Sequence, residues 1–267
     1  MDKDLQKRVI FAGLALAIFI PLLLAGGILF QIGVGLLAML GVHELLRMKR
    51  LSSVTIEGVL AMLAAFVLTL PLENYLTFLP SNGNTVAYSL IVFLLLGSIV
   101  FGKTYTFDDV VYPIATSFYV GTGFHALIAA RLAGVDKVLL ALLIVWATDS
   151  GAYLVGRKFG RRKLAPSVSP NKTLEGSLGG IVSAFLVTLV FLIFDRTVAS
   201  PHGFLTVLVF SIFFSIAGQF GDLVESSIKR HYGVKDSGKF IPGHGGVLDR
   251  FDSMLFVFPL MHFLGLF

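Results

Sequence analysis

Apolar runs of bilayer-crossing length recur along almost the whole of this sequence, and no other feature restricts the fold as much. A helix needs about 17–25 mostly apolar residues to cross a ~30 Å hydrocarbon core, and about nine segments meet that rule. They are 9–25, 28–46, 54–71, 86–101, 110–130, 137–155, 175–194, 204–228 and 250–266. Only 14% of the 267 residues are charged and 56% are hydrophobic, against roughly a quarter charged in an ordinary soluble domain. Lipid offers backbone amides no partners, so crossing segments must satisfy their hydrogen bonds internally. Barrel strands would alternate polar and apolar residues, and these runs do not. The expected fold class is therefore all-α, a polytopic integral membrane protein. The first run follows the charged start MDKDLQKR and reads as a retained helix rather than a cleaved signal, because it is long and a second span follows at once.

Basic residues set the expected orientation. With the N-terminus cytosolic, all of the 21 Lys and Arg fall on the cytosolic side except Arg131, Lys137 and Arg196. The net charge of +5 thus reflects topology, and a basic face also suits anionic lipid or a nucleotide. The expected location is the cell membrane, with the polar chemistry facing the cytosol and no nucleic acid as partner. Residues 1–135 are bland spans, read as scaffold, dimerisation or lipid contact. Residues 136–267 hold the acidic spans and the cytosolic loops 156–174 and 229–249, and are read as the functional half. Cysteine is absent, which excludes disulfides and Cys-ligated metals.

Three spans of that half carry carboxylates near their cytosolic ends: Asp149, then Asp222 with Glu225, then Asp249 with Asp252. A charge there costs a few kcal/mol unless it faces a bundle interior or a watery cavity. Ser215, Gln219, Asp222, Ser226 and Lys229 recur every three or four residues, a single helical stripe expected to line such a cavity. Asp149 and Asp222 each lie roughly 10–12 Å along a helix from a basic cluster. Oxygen ligands without His or Cys favour a hard cation such as Mg²⁺, held by one or two carboxylates plus substrate phosphates. The six histidines form no HExxH pair, and His43 and Glu44 read as interfacial. Gly243-His244-Gly245-Gly246 directly precedes the last span, where glycines let amides approach a phosphate at a helix N-terminus. Gly233 to Lys239 nearly spells a P-loop, but Phe240 stands where Ser or Thr should hold the metal. Ser169-Pro170 fits an N-cap with proline at N1 as well as it fits a substrate contact.

The residues Ser226-x-Ile228-Lys229-Arg230, then Lys235-Asp236-x-Gly238-x-x-Ile241-Pro242-x-His244-Gly245-Gly246-Val247-x-Asp249-Arg250-Phe251-Asp252, form one pattern. It resembles the signature of the phosphatidate cytidylyltransferases, also called CDP-diacylglycerol synthases. A second block, Asp149-Ser150-Gly151-Ala152-Tyr153 through Ser169-Pro170-Asn171-Lys172-Thr173-x-Glu175-Gly176, is similar to that family's other well-defined region. The resemblance implies transfer of a cytidylyl group from CTP to phosphatidic acid, giving CDP-diacylglycerol and pyrophosphate, with Mg²⁺ and a second cation as an option.

On that reading Asp222, Asp249 and Asp149 hold the metal. Asp222, Asp249, Lys229, Arg250 and Asp252 are the catalytic candidates. Ser169, Lys172, Thr173, Ser226, Arg230, Lys235, Lys239, His244, Gly245 and Gly246 are the substrate-binding candidates. The expected assembly is a homodimer among membrane lipids. Two alternatives stand beside it: a CTP-dependent enzyme acting on another lipid phosphate, and an ion-coupled transporter, which would need polar residues along a complete crossing path.

Overall fold

The computed structural model describes residues 13, 17–76, 80, 82–101, 106–238 and 245–267. Residues 17–25 are helical. The elements that follow are α1 (Gly27–Met48), α2 (Ile56–Thr69), α3 (Gly83–Phe101), α4 (Phe107–Ala133) and α5 (Val135–Phe159). A hairpin comes next, β1 (Lys163–Ala165) and β2 (Ser169–Thr173), then α6 (Leu174–Phe194), α7 (Phe204–His231), α8 (Leu248–Phe251) and α9 (Met254–Phe263). The protein is nearly all-α, as its hydropathy requires.

Among the described residues five helices, α1, α3, α5, α6 and α7, are long and apolar enough to cross a membrane. Each lies within four residues of an expected span at either end. Other expected spans differ for local reasons. The segment 54–71 is a 14-residue helix, α2, started by Thr55, whose Oγ1 accepts the Gly58 amide at 3.2 Å. It ends at Leu70, held extended by the proline that follows. At 1.5 Å per residue it is about 21 Å long, short of a ~30 Å core. The segment 250–266 is broken by a turn at Asp252 and Ser253 into α8 and the ten-residue α9. The segment 110–130 lies in α4, which is long enough, but Tyr112, Pro113, Thr116, Ser117, Tyr119, Thr122 and His125 dilute its apolar residues. Most of 9–16 lies outside the described residues.

The chain forms two compact units, one running to Ile128 and including Val234–Arg250, the other made of Ala129–Gly233 and Phe251–Phe267. In the first, Ala64 and Leu68 of α2 pack with Tyr88, Ile91 and Leu95 of α3 and Val110 of α4. In the second, α6 buries Gly176, Gly180, Ala184, Thr188 and Leu192, one residue in every four. Its opposite face, Leu178, Val182, Leu186 and Val190, is more than half exposed. A helix apolar on both faces suits lipid outside and protein inside. The inward small residues let α5 come close. A Cβ on Gly176 would stand 2.7 Å from the Ala152 carbonyl oxygen, and one on Gly180 2.8 Å from that of Thr148. Gly151 reciprocates against Gly179 and Ser183. This seam fixes the end of α5 that carries Asp149.

Candidate active site

In the second unit Asp149 projects from α5, Asp222 from α7, and Asp252 from the turn before α9. The approach of α7 to that turn is set by Gly221, where a Cβ would stand 2.5 Å from the Asp252 carbonyl oxygen. Each oxygen of the Asp222 carboxylate has a partner: Oδ2 pairs with the Lys172 ammonium, and Oδ1 accepts from Ser226 Oγ at 3.2 Å. Lys229 pairs one turn along α7 with Glu225, which is 1% exposed. Asp149 lies within electrostatic reach of Asp222 and Lys172, and Asp252 within reach of Asp222, Asp149 and Lys229. The site therefore concentrates three interacting aspartates, the Glu225 carboxylate and two ammonium groups, with Asp149 and Asp222 in the C-terminal halves of the apolar helices α5 and α7.

The expected polar stripe of α7 divides in two. Ser215 is buried and accepts from Thr148 Oγ1 at 2.8 Å, and Gln219 donates to the Ser177 carbonyl at 3.3 Å. These two hold α7 to its neighbours rather than line a cavity. Asp222, Ser226 and Lys229 carry the charged part.

Strands β1 and β2 occupy what the sequence presents as loop 156–174, pairing Lys163 with Thr173 and Ala165 with Ser169 around an irregular register. Ser169 is thus a strand residue, and the α6 N-cap is Thr173, whose Oγ1 accepts the Gly176 amide at 3.1 Å. Glu175, in the first turn of α6, accepts the amides of Arg161 and Arg162 and closes the base of the hairpin. The Arg230 Nε reaches the Val168 carbonyl at 3.5 Å. Thr173→Ala is expected to destabilise the protein by about 1 kcal/mol, the usual worth of an N-cap. Its midpoint of thermal inactivation in detergent should fall, with Thr173→Ser close to the parent.

Asp249 belongs to the first unit. Its Oδ2 accepts the Ser237 amide, the Ser237 hydroxyl and the Gly246 amide, each at 2.8 Å. Glu44, near the end of α1 and 4% exposed, accepts from Val247 N at 2.8 Å and Leu248 N at 3.0 Å, and its Oε2 lies 2.9 Å from Ser237 Oγ, whose one proton serves either this carboxylate or Asp249. The amides expected to face a substrate phosphate here face the protein's own carboxylates. Glu44 is not interfacial. It is the residue that sequence reading missed, since a single carboxylate at the end of an apolar helix looks solvated. Lys235 lines a cavity of about 630 Å³ together with His43, Glu44 and Arg47. Arg250 is exposed. Lys239 and His244 lie outside the described residues.

The donors near Asp222 are carboxylate oxygens, with ammonium groups and no imidazole among the groups named, and that chemistry fits a hard divalent cation. Among the described residues no three His, Asp or Glu side chains group closely enough to hold a metal by themselves. A carboxylate pair completed by substrate phosphates is the arrangement that Mg²⁺ ordinarily uses.

Residues 6–267 match the cytidylyltransferase family, and the chain belongs to it. The phosphatidate cytidylyltransferase of Bacillus subtilis (strain 168) is 39% identical over 267 residues, covering 98% of this chain and 97% of that one. That of Staphylococcus haemolyticus (strain JCSC1435) is 42% identical over 267 residues, covering 97% and 98%. That of Staphylococcus saprophyticus is 41% identical over 264 residues, covering 97% and 98%.

Proposed function

We propose that this membrane protein transfers the cytidylyl group of CTP to phosphatidate, giving CDP-diacylglycerol and pyrophosphate. The observation that carries the reading is the charged cluster of Asp149, Lys172, Asp222, Lys229 and Asp252, set in and beside the C-terminal halves of helices apolar enough to lie in lipid. A water-soluble polyanion and a lipid phosphate can meet at such a place and at few others. Along α7 Ser215 and Gln219 are hydrogen-bonded to neighbouring helices and Ser211 to its own helix, which favours an enzyme over a transporter that needs a continuous polar path.

An oxygen of the lipid phosphate attacks the α-phosphorus of CTP. The bond from that phosphorus to the bridging oxygen of the β-phosphate breaks, and pyrophosphate leaves. A phosphate monoester with a second pKa near 6 is already largely dianionic at neutral pH, about as a nucleophile should be, so no side chain has to remove a proton. Lys172 and Lys229 offset phosphate charge, and Ser226 holds the Asp222 carboxylate in one orientation. Arg230, Lys235, Lys239, Arg250 and His244 are further candidates to bind the two phosphate substrates. When bound, Mg²⁺ would neutralise phosphate charge; Asp149 and Asp222 are its proposed ligands, the signature motif adds Asp249, and Asp252 adds its charge. Gly245 and Gly246 contribute by the room they leave. Rate enhancement then comes from positioning and preorganised charge.

The finer topology belongs to the same proposal. About nine segments enter the bilayer, with the N-terminus and the site on the cytosolic face of the cell membrane, supported by the Lys and Arg asymmetry. A homodimer is part of it.

Purified protein in detergent, given CTP labelled on its α-phosphorus, phosphatidate and Mg²⁺, should move label into the organic phase, and chelator should abolish it. A folded preparation that labels no phosphatidate but labels another lipid phosphate would replace the substrate assignment. One that labels none would remove the enzymatic reading.

A further inference from the structure

Glu44 stands where a carboxylate is unwelcome, almost fully buried and just before the last turn of α1, toward the negative end of the helix dipole. It is kept there by donors from far along the chain. Oε1 accepts the Val247 amide, Oε2 the Leu248 amide, and Ser237 Oγ lies 2.9 Å from Oε2 and 2.8 Å from Asp249 Oδ2, able to donate its one proton to either. Two glycines of the signature are explained by the same group. A Cβ on Gly238 would stand 2.6 Å from Glu44 Oε1, and one on Gly246 2.3 Å from it. Gly245, at φ 83°, turns the backbone so that Gly246 can present its amide to Asp249.

We propose that Glu44 is a positioning residue for the reaction: it is the post on which residues 234–238 and 245–250 are folded, and it thereby aims Asp249 and Arg250. It acts through the backbone at 246–248 and not by touching either substrate. The inference rests on the cytidylyl-transfer reading for its kinetic consequence, but not for its structural one.

Glu44→Gln keeps the size of the side chain and replaces one acceptor oxygen by a donor that cannot serve an amide N–H. Hydrogen exchange on the full-length protein in detergent should show the peptide containing Val247 and Leu248 exchanging about tenfold faster, as loss of a hydrogen bond to a charged group produces. In the label-transfer assay kcat should fall about 100-fold, the penalty of a misaimed reactive group, with KM for CTP within about threefold. Glu44→Asp, which keeps the charge on a shorter arm, should recover part of that loss. Unchanged exchange in Glu44→Gln would overturn the proposal. So would a wild-type kcat beside a lowered thermal midpoint, since that is the signature of a group that only stabilises. If the parent transferred no label while Glu44→Gln still exchanged faster, the reading of the reaction would fail and the folding post would stand. Should Glu44→Gln not fold, Gly246→Ala, which drives a methyl against Glu44 and Ser237, is read by the same exchange and kinetics with the same expected directions.

Discussion

Asp222→Asn is expected to lower the rate of lipid labelling by about 10³-fold, at the upper end of what removal of one preorganised electrostatic group costs. The amide keeps the shape of the side chain and an acceptor for Ser226, so the helix should persist. What it loses is the charge that faces Lys172 and interacts with Asp149 and Asp252. Lys172 is then left without its carboxylate and is free to pair elsewhere. Turnover under saturating CTP, with thermal inactivation as a check on folding, is the measurement. Activity within tenfold of the parent would take Asp222 out of the site.

Gly221→Ala should damage the second unit strongly. It adds a Cβ 2.5 Å from one backbone carbonyl oxygen and 3.2 Å from the Ser253 Cα, atoms that no side-chain rotation can move aside. Overpacking of this kind costs about 1–3 kcal/mol, and here it also pushes α7 from the turn that carries Asp252. The thermal midpoint should drop by roughly 5 °C for a chain of this size, and activity should fall further than stability alone explains. Gly97→Ala is the contrast, since nothing lies within 4 Å of a Cβ built there. It should match the parent or exceed it slightly, as alanine favours helix by up to about 1 kcal/mol. Equal stability of the two variants would mean that the close approach at Gly221 is not as described.

Much of this was readable because lipid leaves a chain few choices. Twenty apolar residues in a row can only be a helix, so α1, α3, α5, α6 and α7 follow from length alone. The helices differ from the expected spans where a local device interrupts an apolar run. Thr55 and Pro71 shorten α2, and Asp252 and Ser253 break the last segment in two; hydropathy averages over such residues. The hairpin was hidden because Pro166 and Pro170 mark its strands as loop, and the same proline drew attention to Ser169 when the helix is capped by Thr173. In the site, Asp149, Asp222 and Asp252 were visible as charges set in apolar surroundings, and their mutual reach followed. The glycines before Asp249 were read as a cradle for a substrate phosphate, whereas the amides of Gly246, Val247 and Leu248 meet carboxylates of the protein. That the anions are Asp249 itself and Glu44 could not be seen, since a partner on another helix leaves no local pattern.

Glu44 and Val247 are 203 residues apart in the chain. At about 5–20 residues per second, a ribosome needs roughly 10–40 s to supply the second after making the first. For that interval α1 has left the translating machinery with its carboxylate and without the amides that will receive it. The buried setting of Glu44 is therefore completed only when Ser237, Val247 and Leu248 have been made, long after α1 itself.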